Sequence, residues 1–213
     1  MPSFGLVSEG HTDFVVIRHI LAGYFNIKDP DVRKYPLRDD HNSPRGWQAV
    51  ITYVGSSDFD VAFEFVQYII IQIDTDRCEE KHYEVPRSEG ERDLEPLEIL
   101  EKVRGKFRDW IGEEVYERRK EKIIFAIAVD STECWLLPLH YPDNPVMRSE
   151  WRECKNALNV ALPVSSNKSD YYRRASYDLS DPATLLQAAP HNPSLKAFID
   201  ELDSRKLFAE DEA

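Results

Sequence analysis

The apolar positions of the chain fall into short continuous runs and longer periodic stripes. Three runs stand out: Phe4-Gly5-Leu6-Val7-Ser8, then Val66-Gln67-Tyr68-Ile69-Ile70-Ile71-Gln72-Ile73, then Ile123-Ile124-Phe125-Ala126-Ile127-Ala128-Val129. Runs without strict alternation predict strands buried on both faces, as in the middle of a parallel sheet. Strands are expected over 3–8, 66–74 and 123–129, as parallel neighbours with helices on both faces. The stripes have helical spacing. Phe14, Ile17, Leu21 and Tyr24 predict a helix over 14–26 with Thr12 as its N-cap. Leu97, Leu100, Val103, Phe107, Trp110 and Ile111 predict a second, followed by a charged helix over 113–121. Further helices are expected over 151–162, 185–189 and 194–207.

Between these elements the pattern is weaker. Residues 27–46 are rich in Asp, Pro and Arg and read as a loop, with a short edge strand near 35–38. Residues 47–54 fit a short helix or a short strand, and 58–65 are ambiguous. Residues 77–96 are polar, and two readings stand side by side: a lid that contacts substrate, or a disordered surface insert. Pro138, Pro142 and Pro145 mark a loop.

Two of the runs end in acid. The 66–73 run ends in Asp74-Thr75-Asp76. In an extended segment residues two apart point the same way, so both carboxylates aim at one spot. That spot lies at the carboxyl end of a core strand, where open α/β sheets bind ligands. Converging carboxylates repel, and a divalent cation with oxygen ligands is the usual compensation. The first strand leads into Glu9-Gly10-His11-Thr12-Asp13. Glu9 then sits at the same end of the sheet, and Asp13 faces back from the first helical turn. Gly10 allows the sharp turn between them. His11, inside the acidic motif, reads as a phosphate contact or a solvated neighbour of the helix start, and His19 as structural.

An apolar strand followed by Glu-Gly-x-x-Asp and a helix, and some 60 residues later by a strand ending in Asp-x-Asp, resembles the Toprim domain. The spelling Glu9-Gly10-His11-Thr12-Asp13 is most similar to the OLD-type nucleases. Glu133-Cys134-Trp135-Leu136, after the third strand, resembles the Glu-x-aromatic-Leu segment of OLD-type and small stand-alone Toprim proteins. The resemblance implies a Toprim-like (Rossmann-like) α/β fold, with a catalytic core over 1–140 and a helical extension over 141–213 packed on it. It implies metal ligands at Glu9, Asp13, Asp74, Asp76 and Glu133, with Glu9 as a ligand or the group that handles the proton. Lys168 is a looser match to a late lysine placed beside the scissile phosphate. The implied activity is a nuclease acting on DNA or RNA with two Mg²⁺ or Mn²⁺ ions about 3.5–4 Å apart. The chain departs from the OLD-type pattern at Gln72, where serine is usual, and its 213 residues show no ATPase domain. The related effectors of bacterial anti-phage systems are often paired with a separate ATPase, and such a partner is implied here.

The formal net charge of −12 runs against nucleic-acid binding through a broad basic face. It fits a site whose carboxylates are offset by cations, and a partner that supplies part of the affinity. Three scattered cysteines without a CxxC spacing predict a reducing compartment, with neither a disulfide framework nor a zinc site. No signal-peptide pattern and no run near 20 apolar residues is seen, so a cytoplasmic location away from membranes is expected. Two rival functions remain. A haloacid-dehalogenase-like phosphohydrolase also places Asp-x-Asp after an apolar strand, with the first Asp as nucleophile, but has no need of Glu9. A non-catalytic metal-binding regulatory subunit would keep the fold without turnover.

Overall fold

The structure, a computed structural model, describes residues 2–36, 44–163, 166–205 and 207. Its centre is a four-stranded parallel sheet made of β1 (Phe4–Val7), β2 (Val32–Tyr35), β3 (Tyr68–Asp74) and β6 (Ile123–Ala128), in the order β2-β1-β3-β6. The three expected strands are parallel neighbours. Phe4 pairs with Tyr68, and Asp74 with Ala128. The chain leaves β1 toward β2 on one side and returns to β3 on the other. The direction of winding therefore reverses between β1 and β3. That is the switch point where the loops part and leave a crevice.

Alternate strand residues feed two cores. Phe4, Leu6, Ile70, Ile124, Ala126 and Ala128 join one; Val7, Ile69, Ile71, Ile73, Phe125 and Ile127 join the other. Each fully buried large side chain contributes about 1.5–3 kcal/mol relative to exposure. The second core is covered by α2 (Trp47–Val54), α3 (Ser57–Ala62) and α4 (Pro96–Ile111), with α5 (Glu113–Arg119) beside α4. The first is covered by α1 (His11–Phe25), α6 (Glu133–His140), α8 (Cys154–Ala161), α9 (Lys168–Ser176), α10 (Pro182–Ala188) and α11 (Pro193–Ser204). A short α7 (Pro145–Arg148) lies between α6 and α8. The small Ala126 and Ala128 let α11 lie close along β6. At Gly23 a Cβ would stand 2.1 Å from the Leu179 carbonyl oxygen, so only glycine lets α1 approach that turn.

Several boundaries differ from expectation. Helix α1 starts at His11, and Gly10, not Thr12, is its N-cap, because the Gly10 carbonyl accepts the Phe14 N–H at 3.3 Å. The edge strand lies at Val32–Tyr35, three residues early; Arg38 falls outside the described residues. Residues 47–54 are helical. Helix α9 has no counterpart among the expected elements, because its only regular apolar pair is Tyr171 and Ala175 among charged neighbours. Pro138 does not end α6. Its missing N–H leaves the Cys134 carbonyl unpaired within the helix, and Asn192 Nδ2 donates to it at 3.4 Å.

Residues 77–96 are not a disordered insert. They form turns and a small hairpin of β4 (Ser88–Glu89) and β5 (Arg92–Asp93), and they bury Tyr83, Val85 and Leu94. The Tyr83 hydroxyl donates to the Asp74 carbonyl at 3.0 Å, which fastens this segment under the sheet end. Among the described residues no helix is long and apolar enough to cross a membrane.

Candidate metal centre

Glu9 follows β1, Asp74 ends β3 and Glu133 opens α6 just beyond β6. Asp13 lies in the first turn of α1. These four acids line one cavity of about 440 Å³, together with Gly10, Thr12, Gly46, Lys155, Asn159, Lys168, Tyr171 and Tyr172. Asp76 does not line it. Its Oδ2 accepts from Lys155 Nζ at 3.0 Å, which brings the lysine against the acidic wall. Lys168, expected beside the phosphate, does line the cavity, as the first residue of α9. Lys155 is not among the expected site residues, since nothing in the sequence but its place in a helix distinguishes it. The covering side of the cavity comes from α8 and α9.

A frame of donors fixes the acids. Gln72 bridges two of them: its Oε1 accepts the Glu9 N–H at 3.1 Å and its Nε2 donates to Asp74 Oδ1 at 2.9 Å. Glu9 Oε1 in turn accepts the Asp74 N–H at 2.8 Å. Thr132 bridges two more. Its N–H donates to Asp74 Oδ1 at 3.2 Å and its hydroxyl to Asp13 Oδ1 at 2.8 Å. The Tyr172 hydroxyl donates to Glu133 Oε1. The start of α6 is held from behind: Trp135 Nε1 donates to Ser194 Oγ at 2.8 Å, and its ring stacks on Phe198.

Burial and crowding raise proton affinity here. Burial, chiefly, pushes the Glu9 carboxyl from its usual 4.5 up to about 8. The Asp74 N–H and Lys155 oppose the rise, and the charges of Asp13 and Asp76 add to it. Asp13 rises from 3.8 to about 6 through burial and the charge of Glu133, against the Thr132 hydrogen bond. Asp74 is raised well above its usual value by burial, then by Asp13, Glu9, Glu133 and Asp76. Burial disfavours the Lys155 ammonium, but Glu133, Asp76 and Asp74 outweigh it and hold its pKa above the ordinary value.

The donor set fits a hard cation. All the candidate ligand atoms are carboxylate oxygens, and Glu133 Oε2 is buried without a hydrogen-bond partner. An unsatisfied buried carboxylate oxygen is costly unless something positive meets it. Among the described residues no three of these acids bring oxygens within 4.8 Å of one another; the fit is in chemistry and in their sharing one cavity.

The atoms that do meet that spacing belong to Asp130, Cys134 and Cys154. Here the expectation of unpaired cysteines is overturned: Cys134 and Cys154 form a disulfide, 20 residues apart in sequence, with Cα atoms 5.0 Å apart. The packing of α8 on α6 brings them together, which no local spacing reveals. Cys78 is free and buried. Asp130, the acid that follows the third apolar run, is neither in the cavity nor the cap of α6. It has a left-handed backbone (φ 65°), its side chain pairs with Arg87 at 3.4 Å, and Thr132 occupies the cap position. Comparison with models of protein families, with curated proteins and with solved structures finds no match.

Proposed function

We propose that the chain is a metal-dependent nuclease of the Toprim type that hydrolyses nucleic-acid phosphodiesters. One observation supports this above all: Glu9, Asp13, Asp74 and Glu133 come from neighbouring strand ends to a single cavity that also holds two lysines. Glu9, Asp13, Asp74 and Glu133 would hold Mg²⁺ or Mn²⁺, with Asp76, outside the cavity wall and paired with Lys155, as the fifth candidate ligand. Two such ions, when bound, activate a water molecule and stabilise the leaving oxyanion. The protein's own groups prepare the rest. Gln72 and Thr132 set the acids in one rigid frame. Glu9 is either a metal ligand or the group that takes a proton from water, as the resemblance implies. Lys155 and Lys168 offset charge on the phosphate. Tyr172 orients Glu133.

The same resemblance extends the proposal to an ATPase partner and a role in anti-phage defence. The net charge of −12 favours a partner that contributes affinity for nucleic acid. The test is incubation of the purified protein with Mg²⁺ or Mn²⁺ and plasmid DNA, single-stranded DNA or tRNA. Cleavage that needs the ion and is lost in Asp74→Asn supports the proposal. Hydrolysis of small phosphomonoesters, with beryllium fluoride trapped on Asp74, would move the chain to the haloacid-dehalogenase-like reading.

A further inference from the structure

The disulfide lies one residue from the candidate site on both of its sides. Cys134 follows Glu133 in α6, and Cys154 precedes Lys155 in α8. One covalent bond thus joins the helix that carries an inward carboxylate to the helix that carries the cation. Helix α8 has little else to hold it. It is eight residues long, and only Cys154 and Leu158 are buried. Its other ties are the Lys155–Asp76 ion pair at 3.0 Å, the partly buried Ala157, and hydrogen bonds from Tyr141 to the Ala157 carbonyl at 2.8 Å and from Tyr171 to Asn159 at 3.1 Å. A helix this short does not persist without tertiary anchors.

Both cysteines are fully buried, so exchange at the bond requires α8 to open. A second cavity of about 310 Å³ is lined by Arg87, Asp93, Asp130, Arg152 and Glu153. Asp130 Oδ2 lies 4.0 Å from Cys134 Sγ. Glu153, which adjoins Cys154, is exposed and has a left-handed backbone (φ 52°), unusual for a glutamate. The segment just before Cys154 is therefore a poorly buried turn at the edge of this cavity, and it is the end from which α8 can open.

We propose that Cys134–Cys154 is a reversible redox-modification site whose oxidised form holds α8, and with it Lys155, over the acidic cavity. Its effect on turnover rests on the nuclease reading; its effect on α8 does not. A protein dithiol is the reductant. Its thiolate attacks one sulfur, the other sulfur leaves as a thiolate and takes up a proton, and a mixed disulfide remains. The reductant's second thiol, as thiolate, resolves that bond and departs in its own disulfide. Two electrons and two protons pass to the pair, which ends as two thiols. A disulfide oxidant reverses the exchange. In the reduced form α8 is released, and Lys155 leaves Asp76.

The test compares the full chain oxidised with diamide and reduced with a dithiol, alongside the Cys134→Ala/Cys154→Ala double variant. Thiol counting should give one free thiol in the oxidised protein and three in the reduced one. Hydrogen exchange should then rise roughly tenfold or more across 154–161 in the reduced protein and the double variant, with 68–74 unchanged. Metal-dependent cleavage should fall in step and recover on reoxidation of the wild-type chain. A disulfide that resists the dithiol until the protein unfolds would overturn the proposal. Equal exchange across 154–161 in both states would overturn it as well, even with nuclease activity intact. Absence of cleavage in both states would instead count against the nuclease reading, and the exchange data would still decide the redox site.

Discussion

Lys155 Nζ lies 3.0 Å from Asp76 Oδ2, and through that contact a cation from α8 meets the acidic end of β3. Lys155 and Lys168 both face the cavity, but of the two only Lys155 is hydrogen-bonded to one of the candidate metal ligands. Lys155→Ala is expected to slow single-turnover cleavage by about 10²-fold, the usual size for one lost electrostatic stabiliser. Lys155→Arg should recover part of the rate. Near-normal cleavage by Lys155→Ala, with Lys168→Ala inactive, would transfer the role to Lys168.

The raised carboxylates make stability depend on pH. Glu9 and Asp13 bind protons more tightly when folded (about 8 and about 6) than at their ordinary values of 4.5 and 3.8. Their contribution is complete below those ordinary values and is lost as pH rises through about 6 for Asp13 and about 8 for Glu9. Metal-free protein is therefore expected to melt at a lower temperature near pH 8.5 than near pH 5.5. One such group changes stability by at most roughly 1.4 kcal/mol for each pH unit crossed. Mn²⁺ should reverse the trend, because ion and proton compete for the same oxygens. A melting temperature flat across this range without metal would mean that the acids are ionised and solvated throughout.

Much of this site was legible in the chain because its acids sit at the ends of apolar runs. Glu9, Asp74 and Glu133 follow three such runs, and the parallel order of the strands carries them to one edge. The covering side was not legible. Lys155, Asn159, Tyr171 and Tyr172 stand on short, polar helices whose burial comes from neighbours distant in sequence. The disulfide was hidden for the same reason, since it depends on how α8 docks on α6. Gln72 reads in the sequence as a departure from the OLD-type pattern. In the fold its amide does what a shorter serine would reach less easily: it touches Glu9 and Asp74 at once.

That amide predicts its own variant. Gln72 is fully buried, and a leucine there would keep most of the volume while removing both bonds. The Glu9 N–H and an Asp74 oxygen would each lose a partner. Gln72→Leu is expected to cost about 1–3 kcal/mol in denaturant unfolding, with a weaker response to metal. An unchanged midpoint would show that other groups already satisfy both atoms.

Asp74 separates charge from hydrogen bonding. Its Oδ1 accepts from Gln72 and from the Thr132 N–H, and an asparagine keeps that acceptor. Asp74→Asn removes a crowded charge, so the metal-free protein should melt at the same temperature or higher while the rise induced by Mn²⁺ disappears. Asp74→Ala leaves both donors unmet and should lose about 1–3 kcal/mol. A large loss in the asparagine variant would mark the charge itself as structural.

Glu9 decides between the enzyme readings. Two-metal phosphodiester hydrolysis and a covalent aspartyl-phosphate route both need Asp74, so its loss is uninformative between them. Only the first needs Glu9 as an acid. The structure makes Glu9→Gln a clean substitution: the glutamine keeps an oxygen to accept the Asp74 N–H, and the backbone bond to Gln72 does not involve the side chain. The variant should fold, and the loss of a buried carboxyl that takes up a proton near neutrality should flatten the upper part of the pH–stability curve. Cleavage of nucleic acid should fall by about 10²-fold or more, as when a group that transfers a proton is removed. Circular dichroism and thermal unfolding establish the fold independently of activity, so a dead enzyme cannot be mistaken for a misfolded one. Full nuclease activity in Glu9→Gln would remove Glu9 from the chemistry and with it the resemblance that implies the five-carboxylate site.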